Sequence, residues 1–237
     1  AAALRSMDEA EIEDSFYKDL AFGTGGLRGV IGAGTNRMNI YTVARASSGL
    51  ADYVVKSFDP SRRRIAVSYD SRINSDLFAH TAAQVFAASG LQVFIYPELM
   101  PTPLLSYAVR NLNCAAGIMV TASHNPAKYN GYKVYGPDGC QITDNAARLI
   151  LNSINSSDYF DAMPSASFED GLNSGHISYI TDDIAESFNR TILSQSVLFG
   201  DDADRDVSIV YSPLNGTGLK PVLRVLDSAG FSNVTVG

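Results

Sequence analysis

The sequence predicts an α/β protein: a layered, mainly parallel sheet with helices on both faces, forming one complete domain and an incomplete second domain of similar type. Three observations predict it. Short apolar runs alternate with stretches of helical apolar spacing, the connections between them are short, and one polar segment, "NSSDYFDAMPSASFEDGLNSG", interrupts the alternation. Strand, helix and strand joined by short connections require right-handed crossovers, which set the strands parallel and lay the helices over the sheet.

Each element has its own signal. Residues 1–21 form an acidic leader of helical character. "FGTGGLRGVIGAGTNRMN" (Phe22 to Asn39) carries six glycines in eighteen residues and reads as a loop or irregular ribbon. Val43, Ala46, Leu50 and Val54 then recur at helical spacing. "RIAVSYD" is a buried strand ending at Asp70. Asn74 or Ser75 caps a helix that presents Leu77, Phe78, Val85 and Phe86 and closes at Gly90. "LQVFIYP" is a second strand, and Thr102-Pro103 opens a helix to about Asn113. "CAAGIMVTAS" is a third strand, ending at Ser123. "GYKVYGPDGCQIT" turns at Pro137-Asp138-Gly139 as a hairpin, and a polar helix runs from Thr143 to Ile154. The first domain thus spans 22–155, with a linker over 156–175. From 176 to 237 a second domain begins: a helix striped by Ile184, Phe188 and Ile192, the strand of "VSIVYSPLNGTG", the helix "LKPVLRVLDSAG" and the strand "NVTVG". An α/β domain that stops there is unfinished, so the chain is expected to be part of a longer protein.

Composition narrows the function. With 237 residues, 46% of them hydrophobic, the chain has ample core. A net charge of −7 argues against nucleic acid as the main partner, because phosphate backbones reward excess Lys and Arg. Phosphorylated small molecules stay open, since local basic groups bind them. Two cysteines, Cys114 and Cys140, build neither a disulfide framework nor a metal site and fit a reducing cytoplasm. No run reaches 18 apolar residues and the acidic leader lacks a signal-peptide pattern, so no membrane role is expected.

The chemistry concentrates in "TASHNPAKYNGYK" (Thr121 to Lys133). Ser123 falls at the carboxyl end of a parallel strand, where open sheets gather ligands, and Asp70 falls at the same edge. Pro126 restricts Asn125 and stiffens the loop. His124 and Lys133 supply a proton acceptor and a cation, the help a weakly nucleophilic hydroxyl needs. On residue types alone, a polar corner whose Ser and His bond their own backbone fits better than a catalytic serine, because Ser-His pairs are common and a nucleophile is recognised by geometry.

The whole stretch resembles the phosphoserine loop of the α-D-phosphohexomutases, the phosphoglucomutase and phosphomannomutase family. "FGTGGLRG", "SYDSR", "PTPLLSYAV", "GYKVYGPDGCQIT" and "YSPLNGTG" continue the resemblance in order, and the first is closer to the phosphoglucomutase and phosphopentomutase branch. The resemblance implies that Ser123 carries a phosphoryl group. It implies that Lys133 serves as general base or acid, with His124 orienting the loop and sharing the proton work. Arg28 would reach the catalytic phosphate, while Thr24, Gly25 and Gly26 allow close backbone approach. Asp70 and Arg72 either buttress the loop or form a plain strand-end ion pair.

The implied activity interconverts glucose 1-phosphate and glucose 6-phosphate through a sugar bisphosphate. The alternatives are a phosphopentomutase, a phosphomannomutase or a catalytically silent homologue that binds sugar phosphates. Two phosphate groups outweigh one lysine and one or two arginines, so a Mg²⁺ held by the Ser123 phosphate and by hard oxygen ligands is expected. Its carboxylate loop, the sugar-reading loop and the distal phosphate site are expected past Gly237, in the remaining domains of the same enzyme. "GDDADRDV" (Gly200 to Val207) imitates such a metal loop, but it precedes the strand that the metal loop should follow. Asp202 and Asp204 are therefore read as part of a solvated loop.

Overall fold

The computed structural model describes residues 2–197 and 204–237. They divide into two compact units, Ala1–Tyr179 and Ile180–Gly237. Asp202 lies outside the described residues; Asp204 Oδ1 accepts from the Asp206 amide at 3.0 Å.

The leader forms two helices, α1 (Ala2–Arg5) and α2 (Glu9–Phe16), the second capped by the Asp8 carboxylate on the Glu11 amide. Arg37 pairs with Asp14, and Arg45 Nη1 donates to Asp19 Oδ2 at 2.7 Å, so this segment straps onto the domain. The glycine-rich stretch departs from its expected irregularity. It forms β1 (Phe22–Gly23) and β2 (Gly26–Val30), a hairpin whose second strand pairs antiparallel with β6 (Tyr129–Tyr135). Leu27 opposite Tyr132, both buried, gives β2 an apolar anchor that glycine content alone conceals.

Helix α3 (Ile40–Ser57) starts at Asn39 in a capping box with Thr42 and buries Val43, Ala46, Leu50 and Val54. Next come β3 (Arg64–Tyr69), α4 (Ser75–Ala88), β4 (Gln92–Ile95), α5 (Thr102–Asn111) and β5 (Ala116–Val120). Helix α4 buries Phe78, Val85 and Phe86, but Leu77 is exposed. Asn74, the residue before α4, has left-handed geometry (φ 61°) and no side-chain cap bond, so its expected capping role is not realised. The turn after β6 forms as expected, with Gly139 at φ 77° and the Gly136 amide donating to the Cys140 carbonyl at 2.8 Å. Helix α6 (Asp144–Asn155) follows. The polar segment expected as a linker carries α7 (Phe168–Asn173), and β7 (Ile177–Tyr179) then pairs with β4.

The sheet runs β1-β2-β6-β5-β3-β4-β7, with β5, β3, β4 and β7 parallel. Strand β3 leads to β4 on one side, and the chain then returns across β3 to β5 on the other. Right-handed crossovers therefore put α4 and α5 on opposite faces. β5 is buried along its whole length and β3 at every residue but its first, the pattern of central parallel strands. The crevice beyond their carboxyl ends, where the connections diverge, is where such sheets bind ligands.

The second unit has α8 (Asp182–Leu193), β8 (Ile209–Tyr211), α9 (Leu219–Ser228) and β9 (Val234–Val236), with β8 and β9 parallel. Arg224 grips Asp182 with both guanidinium nitrogens, at 2.9 and 3.0 Å, tying α9 to α8. Among the described residues no helix is long and apolar enough to cross a membrane.

Candidate active site

Strand β5 ends at Val120, and residues 121–128 turn the chain back into β6. The turn is built locally. Thr121 Oγ1 accepts from the Ser123 amide at 2.9 Å, and the Asn125 amide donates to the Ala122 carbonyl at 3.1 Å. Ser123 itself takes left-handed geometry, φ 57°, which costs an L-residue about 1–2 kcal/mol. The hydroxyl projects from an exposed residue and lies 3.3 Å from His124 Nδ1.

Arg72 offsets the strain of this conformation from below. Its Nη2 donates to the carbonyls of Ser123 (2.7 Å) and Asn125 (2.6 Å), and Nη1 to those of Pro126 (3.2 Å) and Tyr129 (3.0 Å). Charge-assisted bonds of this kind are roughly twice as strong as neutral ones, so one guanidinium fixes the path of the whole loop. Asp70 steers the guanidinium. One carboxylate oxygen lies 3.5 Å from Arg72 Nε, and the other accepts from the Arg72 amide (3.0 Å) and the Ser75 hydroxyl (2.7 Å). Only 13% of either side chain is exposed, so this pair is not a solvent-screened surface bridge. Asp70 and Arg72 thus form an ion pair at the end of β3, and the same guanidinium bonds the serine loop.

Strands β2 and β6 bring two more cations to this edge. Arg28 Nη1 donates to Asn125 Oδ1 at 3.2 Å, so β2 reaches the serine loop directly. Arg28 stands opposite Gly131 in the ladder, and Lys133, two residues along β6, shares that face. Burial pulls the Lys133 ammonium below its ordinary range, the nearby Arg28 pulls it further, and Asp70 opposes them. Glycine is required here at Gly26 (φ 78°), where a Cβ would sit 1.8 Å from the Tyr132 carbonyl oxygen. Thr24 and Gly25 form the exposed hairpin turn between β1 and β2, and among the described residues no hydrogen bond of theirs reaches the serine.

Ser123, His124, Asn125, Arg28, Asp70, Arg72 and Lys133 are thus gathered at one sheet edge. Sequence reasoning did not single out Asn130 or Ser75 as site residues. Asn130 is fully buried, and a buried Asn before a Gly inside a strand pattern is the signal that could have found it. Among the described residues no three His, Cys, Asp or Glu side chains are arranged to hold a metal ion. The Asp70 oxygens are already engaged by Arg72 and Ser75. The residues present therefore do not build a cation site of their own.

Residues 19–160 match the family described as phosphoglucomutase/phosphomannomutase, alpha/beta/alpha domain I. A phosphoglucomutase of Staphylococcus haemolyticus is 38% identical over 226 residues, covering 94% of this chain and 40% of that protein. A protein of Schizosaccharomyces pombe named as a probable phosphoribomutase is 34% identical over 234 residues, covering 96% and 39%. The chain therefore spans about 40% of the length of these curated relatives. Among solved structures, a candidate phosphomannomutase from Thermus thermophilus shares the fold with a TM-score of 0.72 at 24% identity, covering 92% of this chain and 46% of that one.

Proposed function

The chain belongs to the phosphoglucomutase/phosphomannomutase family, and from that premise we propose that it carries the phosphoryl-transfer half of a phosphoglucomutase. The observation that carries the reading is Ser123. It sits on an exposed left-handed corner, its carbonyl is held by Arg72, and its hydroxyl lies 3.3 Å from His124 Nδ1.

The reaction follows from these groups. In the working enzyme Ser123 bears a phosphoryl group. A hydroxyl of a sugar monophosphate attacks the phosphorus, the Ser123 Oγ–P bond breaks, and a sugar bisphosphate forms. The proton leaving the sugar hydroxyl must end on the serine oxygen. Lys133, on the strand that leaves the loop, and His124, whose Nδ1 lies 3.3 Å from the Ser123 hydroxyl, are the groups assigned to take that proton from the sugar and return one to the serine oxygen. The bisphosphate then turns over, Ser123 accepts the other phosphate, and the same groups run in reverse. Positioning and charge neutralisation dominate such transfers, which is the task of Arg28 and the clamped loop. A Mg²⁺ would supply further neutralisation, but beyond a phosphate on Ser123 the described residues offer it no ligand cage. Its remaining ligands and the sugar-reading surface are assigned to further domains of the same enzyme.

The relative named as a probable phosphoribomutase supports a second reading, in which a pentose phosphate is the substrate. One experiment tests both. The full-length enzyme is incubated with glucose 1,6-bisphosphate and weighed intact, then assayed against glucose, mannose and ribose 1-phosphates. One phosphate on Ser123 and preferred turnover of the glucose ester are expected. Turnover of any of these esters without phosphate on Ser123 would overturn the mechanism, and a preference for the ribose ester would favour the second reading.

A further inference from the structure

We infer that Asn130 is a positioning residue that sets the distance between Ser123 and Lys133, an inference that rests on the phosphoserine reading above. Asn130 lies on β6, three residues before Lys133, and is fully buried. Its side chain uses its full donor capacity. Nδ2 donates to the Ile73 carbonyl at 3.1 Å and to Ser75 Oγ at 3.0 Å, while Oδ1 accepts from the Gly131 amide at 2.7 Å. A flipped amide would point oxygen at the Ile73 carbonyl, so the chemistry permits one orientation.

From there the bonds run on without a gap. The single Ser75 proton goes to Asp70 Oδ1 at 2.7 Å, which leaves Ser75 Oγ as acceptor for Asn130. Asp70 holds the Arg72 amide and guanidinium, and Arg72 holds the Ser123 carbonyl. The strand that carries the lysine is thereby tied to the loop that carries the serine through Asn130, Ser75, Asp70 and Arg72. Ser75 is also fully buried, so the joint is shielded from water, where each bond is stronger and a missing partner costs more. Lys133 makes no hydrogen bond to Ser123 among the described residues, so this tie, with the Arg72 bond to the Tyr129 carbonyl and the β5–β6 ladder, fixes their relation. An error of about 1 Å at such a site costs on the order of a hundredfold in rate.

The test uses Asn130→Ala, Ser75→Ala and the double variant in the full-length enzyme. Each single variant is expected to lower kcat about tenfold or more with KM within about threefold. The double variant should be no worse than the worse single one, because both break one chain of bonds. Backbone amides of residues 121–129 should exchange faster, with those of β4 unchanged. Unchanged kcat in either folded single variant, or losses that multiply in the double variant, would overturn the inference. If Asn130→Ala does not fold, Ser75→Ala decides alone by the same kcat criterion. If the parent enzyme shows no Ser123-dependent turnover, the phosphoserine reading fails instead. The amide exchange of Ser75→Ala then decides the joint: faster exchange over 121–129 supports it and unchanged exchange overturns it.

Discussion

Arg72 holds Ser123 by its carbonyl and not by its hydroxyl: Nη2 donates to the Ser123 carbonyl oxygen at 2.7 Å. This guanidinium is thus a fixture of the backbone, and the Ser123 hydroxyl is placed by it without being bonded to it.

Arg72→Lys should therefore be far from conservative. A lysine ammonium cannot serve four carbonyls in the fixed plane that the guanidinium spans. We expect a loss of about 1–3 kcal/mol in urea unfolding, together with at least a tenfold fall in turnover. Wild-type stability with full activity would remove Arg72 from the loop's support.

Ser123→Ala should abolish phosphate uptake and lower turnover by several orders of magnitude, since it deletes the acceptor of a two-step transfer. The side chain is exposed and Arg72 binds only its carbonyl, so the melting temperature should move by no more than a few degrees. Intact mass and calorimetry check the two halves. Activity at a tenth of the parent rate would reassign the nucleophile.

Lys133 should titrate below an ordinary lysine in the unphosphorylated protein, as burial and then Arg28 dictate. Arg28→Met removes a like charge and should move the titration up; Asp70→Asn removes an opposing one and should move it down. Between the folded and unfolded values the unfolded chain binds more protons, so this group makes stability rise with pH in that interval. NMR of the Lys133 side chain reads the shifts, and a shift of the opposite sign in either variant would contradict the arrangement.

Gly26→Ala should unseat the N-terminal hairpin. The added Cβ would meet the Tyr132 carbonyl oxygen at 1.8 Å, and φ is 78°. A loss of about 3 kcal/mol or more is expected from the combined clash and backbone strain. Arg28 should leave Asn125 as well, which the amide exchange of the serine loop would report. A variant as stable as the parent would show that β2 can shift freely.

Much of this was legible in the sequence, for local reasons. Strand β5 announces itself as an unbroken apolar run, β3 by Ile65, Ala66 and Val67, and α3 by the spacing of Val43, Ala46, Leu50 and Val54. Ser123, His124 and Lys133 lie within one short stretch whose spacing survives folding. Other features depend on partners distant in the chain. Strand β2 hides among glycines, and its identity comes from lying along β6. Strand β7 is three residues long in polar surroundings and is a strand because β4 offers it an edge. Asn130-Gly131 reads locally as a turn, yet it lies within β6 because the buried amide finds Ile73 and Ser75. The reach of Arg72 to four carbonyls is likewise set by where α4 and β6 meet the loop.

The pairing of β2 with β6 also sets an order of events. Arg28 and Asn125 are 97 residues apart in sequence, and loop closure over such a span makes their contact slow to form. As the chain leaves the ribosome, the serine loop and its clamp can form from residues 64–135 while the N-terminal hairpin still lacks a place. Arg28 arrives only when that hairpin zips onto the outer side of β6. Until then β6 is an open edge able to recruit the strands of neighbouring chains. Proteolytic removal of the segment that ends with β2 would leave that edge permanently uncovered, so aggregation, ahead of lost chemistry, is the first consequence of losing the hairpin.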